Sequence, residues 1–143
     1  PFELALLFAS TVFVVFGAGM LAPRLARRWG ALRAARAGIV IAFAGGTALL
    51  VVPEQVHYFS AALTVFLVGM GLINPLGTAI TLQPFGQNAG SASALLGFLQ
   101  MGCAALSIGI ASALPLSPYC AFCTVLVASM LLALVTFWGG AKR

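Results

Sequence analysis

The sequence predicts an all-α fold, a polytopic bundle of about five transmembrane helices forming a single transmembrane domain over residues 1–143. Three observations carry that prediction. Hydrophobic residues make up 62% of the chain and charged residues only 6%, with a mean hydropathy of +1.13. A soluble domain needs about 25% charged residues to cover its surface, so this surface suits lipid instead. Nearly the whole sequence also divides into apolar stretches of about 20 residues, the length that crosses a bilayer. Finally, the charges lie in a few places between those stretches.

The spans fall at roughly 2–22, 35–52, 57–81, 90–113 and 117–139. The first is expected to end near Pro23 and an arginine run, the second at Val52-Pro53-Glu54, and the third near Gln83-Pro84. Asn88 or Ser91 is a candidate N-cap for the fourth. The fourth ends near Pro115, and Ser117-Pro118 opens the fifth, proline being suited to a first helical position. The connections are short, so consecutive helices are antiparallel neighbours.

Five of the seven basic residues, Arg24, Arg27, Arg28, Arg33 and Arg36, lie between the first two spans, and Lys142 and Arg143 end the chain. The positive-inside rule puts the arginine segment in the cytoplasm. Glu54 and His57 then fall outside, and both remaining basic residues fall inside. In that orientation the segment starts outside and ends in the cytoplasm. A basic cluster between two apolar spans excludes nucleic acid as the expected partner. The odd number of helices, the outside start and the absence of an initiator Met raise the expectation of a chain that continues upstream. The start has no basic n-region and does not read as a signal peptide.

The third span is the most informative. Ser60, Thr64, Leu67, Gly71, Asn74, Thr78 and Thr81 follow steps of four and three, which hold them on one helix face. That small and polar stripe is expected to face other helices or a water-filled cavity. Pro75 follows Asn74 near mid-span, with Gly71 and Gly77 close by. Proline removes one helical hydrogen bond, and the break reads either as a binding-site interruption or as a structural kink. In the fourth span, Ala89, Ser93, Gly97, Ala105, Gly109 and Ala113 form a small-residue ridge that permits close backbone approach. Ser93, Gln100 and Ser107 make a polar line beside it, Gln100 serving a neighbouring helix or a ligand. The second and fifth spans carry no buried amide or charge and read as peripheral and lipid-facing, with Trp138 an interfacial anchor.

The chemistry of catalysis is thin. Two carboxylates (Glu3 and Glu54) and one histidine, all near span boundaries, provide no nucleophile–base pair and no metal-ligand set. No catalytic residue, metal or cofactor is expected, and the chain does not read as an enzyme. Glu3 is the single candidate proton carrier, with simple solvation as the other reading. Cys120 and Cys123 form a CxxC without a second pair, and cysteine also serves as a small apolar residue.

The run Gly69-Met70-Gly71-Leu72-Ile73-Asn74-Pro75, and the run from Ala89 through Gly90-Ser91-Ala92-Ser93-Ala94 to Gln100, resemble the C-terminal half of Bcr/CflA-type multidrug efflux transporters of the major facilitator superfamily. The stretch Gly19-Met20-Leu21-Ala22-Pro23-Arg24-Leu25-Ala26-Arg27-Arg28-Trp29-Gly30 is similar to the superfamily's cytoplasmic motif, in the copy after the eighth helix. The resemblance implies that the spans are the last five of a twelve-helix fold in a bacterial inner membrane. The first, third and fourth would lie along a central cavity, and an N-terminal half absent from this chain would complete it. It implies proton-coupled export of small apolar or amphipathic compounds. Asn74, Thr78 and Gln100, with Ser93 and Ser10, would supply polar contacts to substrate. Gly71, Pro75 and Gly77 would mark the conformational break, and Arg24, Arg27, Arg28 and Gly30 the cytoplasmic motif. The motif departs from the family pattern in having Pro23 where the stronger copy carries Asp, and the family's proton-coupling residues lie largely in the absent half. The rival reading is a small stand-alone membrane protein, structural or regulatory, that assembles through the ridge of the fourth span.

Overall fold

In the computed structural model, which describes residues 2–51 and 55–139, every element is helical. The helices are α1 (Phe2–Trp29), α2 (Ala31–Val51), α3 (Val56–Leu82), α4 (Ala89–Ala113) and α5 (Pro118–Gly139), with a 3-10 segment at Gln83–Asn88 between α3 and α4. Glu54, Lys142 and Arg143 lie outside the described residues, as does the side chain of Glu3. Four stretches are long and apolar enough to cross a membrane: Ala9–Trp29, Ala31–Val51, His57–Ala113 and Pro118–Gly139. The third is 57 residues long, about 85 Å if it were one helix. The 3-10 segment divides it, Phe85 leaving helical geometry at φ −104° and ψ 27°, so that α3 and α4 are separate helices of spanning length.

α1 does not stop at Pro23. It runs on through Arg24, Arg27 and Arg28 to Trp29, because an internal proline frees a single carbonyl and does not by itself end a helix. What ends it is Gly30, at φ +85°, the left-handed conformation that glycine adopts without a Cβ penalty. Its N–H reaches the Ala26 carbonyl at 2.9 Å, and its own carbonyl accepts from Ala34 at 3.1 Å. The expected arginine loop therefore shrinks to one residue, with the arginines carried on the adjoining helix ends. α3 likewise continues through Pro75; the expected interruption at Gly71, Pro75 and Gly77 amounts to one lost hydrogen bond in an unbroken helix. At the start of α5 the expectation holds: Pro118 opens the helix and the Ser117 hydroxyl accepts from the Cys120 N–H at 3.3 Å. Asn88 occupies the cap position of α4 but makes no side-chain capping bond.

The packing corrects the reading of α2 as peripheral. Ala34, Ala35, Gly38, Ile39, Ala42, Gly45, Gly46 and Leu49 are all buried, and α2 lies against α1, α3 and α5. The cause is backbone proximity. A Cβ on Gly45 would run into the Phe66 backbone, 2.7 Å from its Cα, and one on Gly69 would run into Ala42, again 2.7 Å from its Cα. Gly38 faces the Gly69 carbonyl at 3.2 Å in the same sense, and Gly46 faces Leu126 of α5 at 2.8 Å. Among lipid-compatible helices, where burial against lipid gains little, such small-residue contacts supply the van der Waals attraction.

α4 is the reverse case. No residue of α4 is buried, and a Cβ at Gly97, Gly102 or Gly109 would meet nothing within 4 Å. Among the described residues, the ridge glycines Gly97 and Gly109 thus have no side chain or backbone of another helix packed on them. The fifth helix buries only Ala121 and Cys123.

Candidate functional site: a groove between α1 and α3

α1 and α3 run in the same direction, and their packing differs along their length. Ala18 and Ala22 of α1 join Leu72 and Leu76 of α3 and Ala34 and Ala35 of α2 in one buried cluster, with Leu25, Ala26 and Ile80 against it. A second cluster, Leu49, Ala62 and Cys123, takes residues from α2, α3 and α5, with Phe59, Leu63, Tyr119 and Leu126 packed on it. Among the described residues, α1 contributes nothing to that second cluster. Its N-terminal half instead parts from α3 and leaves a groove of about 580 Å³.

Ser10, Thr11, Val12, Val15 and Phe16 form one wall, and Phe59, Ser60, Leu63, Thr64 and Leu67 the other. The walls are apolar with a few hydroxyls. The Thr64 hydroxyl donates to the Ser60 carbonyl at 2.7 Å, which meets its own donor requirement and leaves its oxygen as an acceptor toward the groove. Ser10, Thr11 and Ser60 are engaged as well. Among the described residues no titratable side chain lines the groove, which offers a shaped apolar surface and acceptor oxygens.

Of the five expected contact residues, Ser10 alone lines the groove. Asn74 is exposed and Thr78 half-buried further along α3, Asn74 about 15 Å beyond Thr64 at 1.5 Å per residue. Ser93 and Gln100 are exposed on α4, and the Ser93 hydroxyl turns back to the Gly90 carbonyl at 2.9 Å. A second cleft of about 400 Å³ lies between the end of α3 and the start of α4, lined by Thr81, Phe85, Asn88, Ser91 and Leu95 among others; none of those four lines it. Thr11, Ser60 and Thr64 join Ser10 although they were not expected as contacts. Ser60 and Thr64 belong to the polar stripe of α3, and that periodicity was the available signal.

The two ends of the bundle are tied by side chains. The Arg36 guanidinium sits over the Trp138 ring at 5.4 Å, joining the start of α2 to the end of α5. At the other end the Tyr119 hydroxyl donates to the Leu49 carbonyl at 2.6 Å, and its ring lies 6.0 Å from Phe59. Leu49 lies in the last turn of α2, whose carbonyls lack an intrahelical donor. Tyr119 supplies the donor instead. Cys123 is buried beside that carbonyl, its Sγ at 3.8 Å, whereas Cys120 is exposed. Among the described residues no cluster of three or more His, Cys, Asp or Glu has a metal-binding arrangement.

No protein-family model matches the chain, no curated protein matches it, and no solved structure matches it.

Proposed function

We propose that this chain is part of a membrane transporter that exports small, fairly apolar compounds, driven by proton antiport and alternating access. The groove between α1 and α3 is its share of the substrate path, working against a further set of helices. The observation that carries the reading is the groove itself. Its volume falls in the range of about 300–1,000 Å³ typical of small-molecule sites, and its apolar walls with acceptor hydroxyls suit a small apolar or amphipathic organic molecule. The sequence resemblance to Bcr/CflA-type exporters supports the same direction of transport. Alternating access in such proteins rocks one helix bundle against another around a central site. Ethidium retention in bacteria expressing the protein is the test. Cells with the parent protein retain less dye than cells with Thr64→Trp, whose indole fills the groove, and an uncoupler of the proton gradient abolishes the difference. Equal retention by both refutes the assignment.

A second reading has its own observation. α4 is 25 residues long with no buried residue and an open small-residue ridge, which fits a membrane protein that assembles through α4 and transports nothing itself. Cross-linking through a Gly97→Cys variant, with or without ethidium export, separates the two readings.

A further inference from the structure

α1 and α3 each contain one internal proline, Pro23 and Pro75. A helical proline leaves the carbonyl four residues earlier without its backbone donor. Those carbonyls belong to Gly19 and Gly71, two glycines in equivalent positions of two Gly-x-x-x-Pro segments. The structure brings the two segments together. A Cβ on Gly19 would lie 3.6 Å from the Gly71 carbonyl oxygen, and one on Gly71 would lie 2.7 Å from both the Ala18 Cβ and the Val15 carbonyl oxygen. A carbonyl without a donor is costly in hydrocarbon, and the approach of Gly19 brings its Cα hydrogens to the freed oxygen as weak donors. The helices are therefore held together at the point where each is short of one hydrogen bond.

The surroundings are unequal on the two sides of this crossing. Toward the helix C-termini, α1 is closed against α2 and α3 through Ala22, Ala34, Ala35 and Leu76. Toward the N-termini, α1 leaves the core and the groove opens. Val15 belongs both to the groove wall and to the crossing, so the crossing forms the floor of the groove.

We propose that the Gly19/Gly71 crossing is a fulcrum that opens and closes the groove. The arm of α1 before Ala18 swings relative to α3, the C-terminal halves stay packed, and the contact at the crossing persists. Missing ladder hydrogen bonds at prolines are where helices bend, and two of them at one contact let the arms move without separating the helices. The proposal names how the groove of the transport reading is regulated and takes its purpose from that reading, but the motion is measurable without any substrate.

The test places paired spin labels in the protein in lipid nanodiscs, with Cys103→Ser, Cys120→Ser and Cys123→Ala removing the native thiols. One pair, at Phe13→Cys and Ala61→Cys, spans the groove; a second, at Arg27→Cys and Thr81→Cys, spans the closed side. The groove pair is expected to give a broad distance distribution and the second pair a narrow one. Pro23→Ala with Pro75→Ala restores both backbone donors, and the groove distribution then narrows while the second pair is unchanged. A groove pair already narrow in the parent, a groove distribution unmoved by the double substitution, or a second pair as broad as the first overturns the fulcrum. Ethidium retention measured in parallel distinguishes the two ideas: groove distances that respond while export is absent refute the transport reading and uphold the fulcrum.

Discussion

Gly69→Ala is expected to loosen the whole bundle although it adds one methyl group. The new Cβ would meet the Ala42 backbone, 2.7 Å from both its Cα and its Cβ. Comfortable carbon–carbon separation is about 3.5–4.0 Å, so α2 and α3 must part by about 1 Å at this point. A gap of that size forfeits a quarter to a half of the dispersion well for each neighbouring atom pair, and the obstacle is backbone that no rotamer change can clear. Overpacking of this kind costs about 1–3 kcal/mol, against a helix-propensity gain of at most about 1 kcal/mol from replacing glycine by alanine. The net expectation is a loss of about 1–2 kcal/mol. Gly97→Ala on α4 is the matched control, because its Cβ meets nothing within 4 Å; it is expected to be neutral or slightly stabilising. Reversible unfolding in mixed micelles reads both variants. Equal midpoints, or a Gly97→Ala loss larger than that of Gly69→Ala, would refute the argument that α2 and α3 are joined by backbone contact.

Three other outcomes follow from contacts at the bundle ends. Tyr119→Phe removes the 2.6 Å bond to the Leu49 carbonyl and leaves it the weaker Cys123 thiol donor at 3.8 Å; it is expected to lower stability by about 0.5–1.5 kcal/mol, the net worth of a hydrogen bond, and an unchanged unfolding midpoint contradicts the role assigned to it. Trp138→Leu keeps an apolar side chain but removes the ring under Arg36, with an expected loss of about 0.5–2 kcal/mol, and Arg36→Gln adds little further loss in that background if the two act as a pair. Gly30→Ala forces a Cβ into a residue at φ +85°, costing about 1–2 kcal/mol, whereas Gly86→Ala, with open space and an ordinary φ, leaves the midpoint in place.

The helices were legible in the sequence because hydropathy and length dictate them, and the opening of α5 was legible because Ser117-Pro118 is a local capping signal. The ends of α1 and the course of α3 were less so. Pro23 and Pro75 read as stops or breaks, yet a proline removes one bond and the neighbouring bonds hold the helix together. Which helix would be central was misread for a definite reason. Polarity marks a buried face and favours α4 with Gln100 and Ser93; α2 has no amide and carries charge only at its start, in Arg33 and Arg36, but has Gly38, Ala42 and Gly45 at the spacing that admits α3. Smallness decides how near two backbones come, and both α2 and α4 have it, so local sequence could not tell which of them meets a partner. The groove was half visible. Ser10 was chosen and the stripe of Ser60 and Thr64 was seen, but Asn74 and Gln100 drew more weight as amides, and where α1 parts from α3 depends on the crossing at Gly71, a property of three packed helices.

Photolabelling tests the central claim most directly. The protein in lipid nanodiscs is irradiated with ethidium monoazide, digested, and the labelled residues are mapped by mass spectrometry. The account predicts labels concentrated on residues 10–16 of α1 and 59–67 of α3, suppressed by excess ethidium and lost in Thr64→Trp. Labels concentrated around Asn74 and Gln100 instead, or spread over the surface and indifferent to competitor, would contradict it.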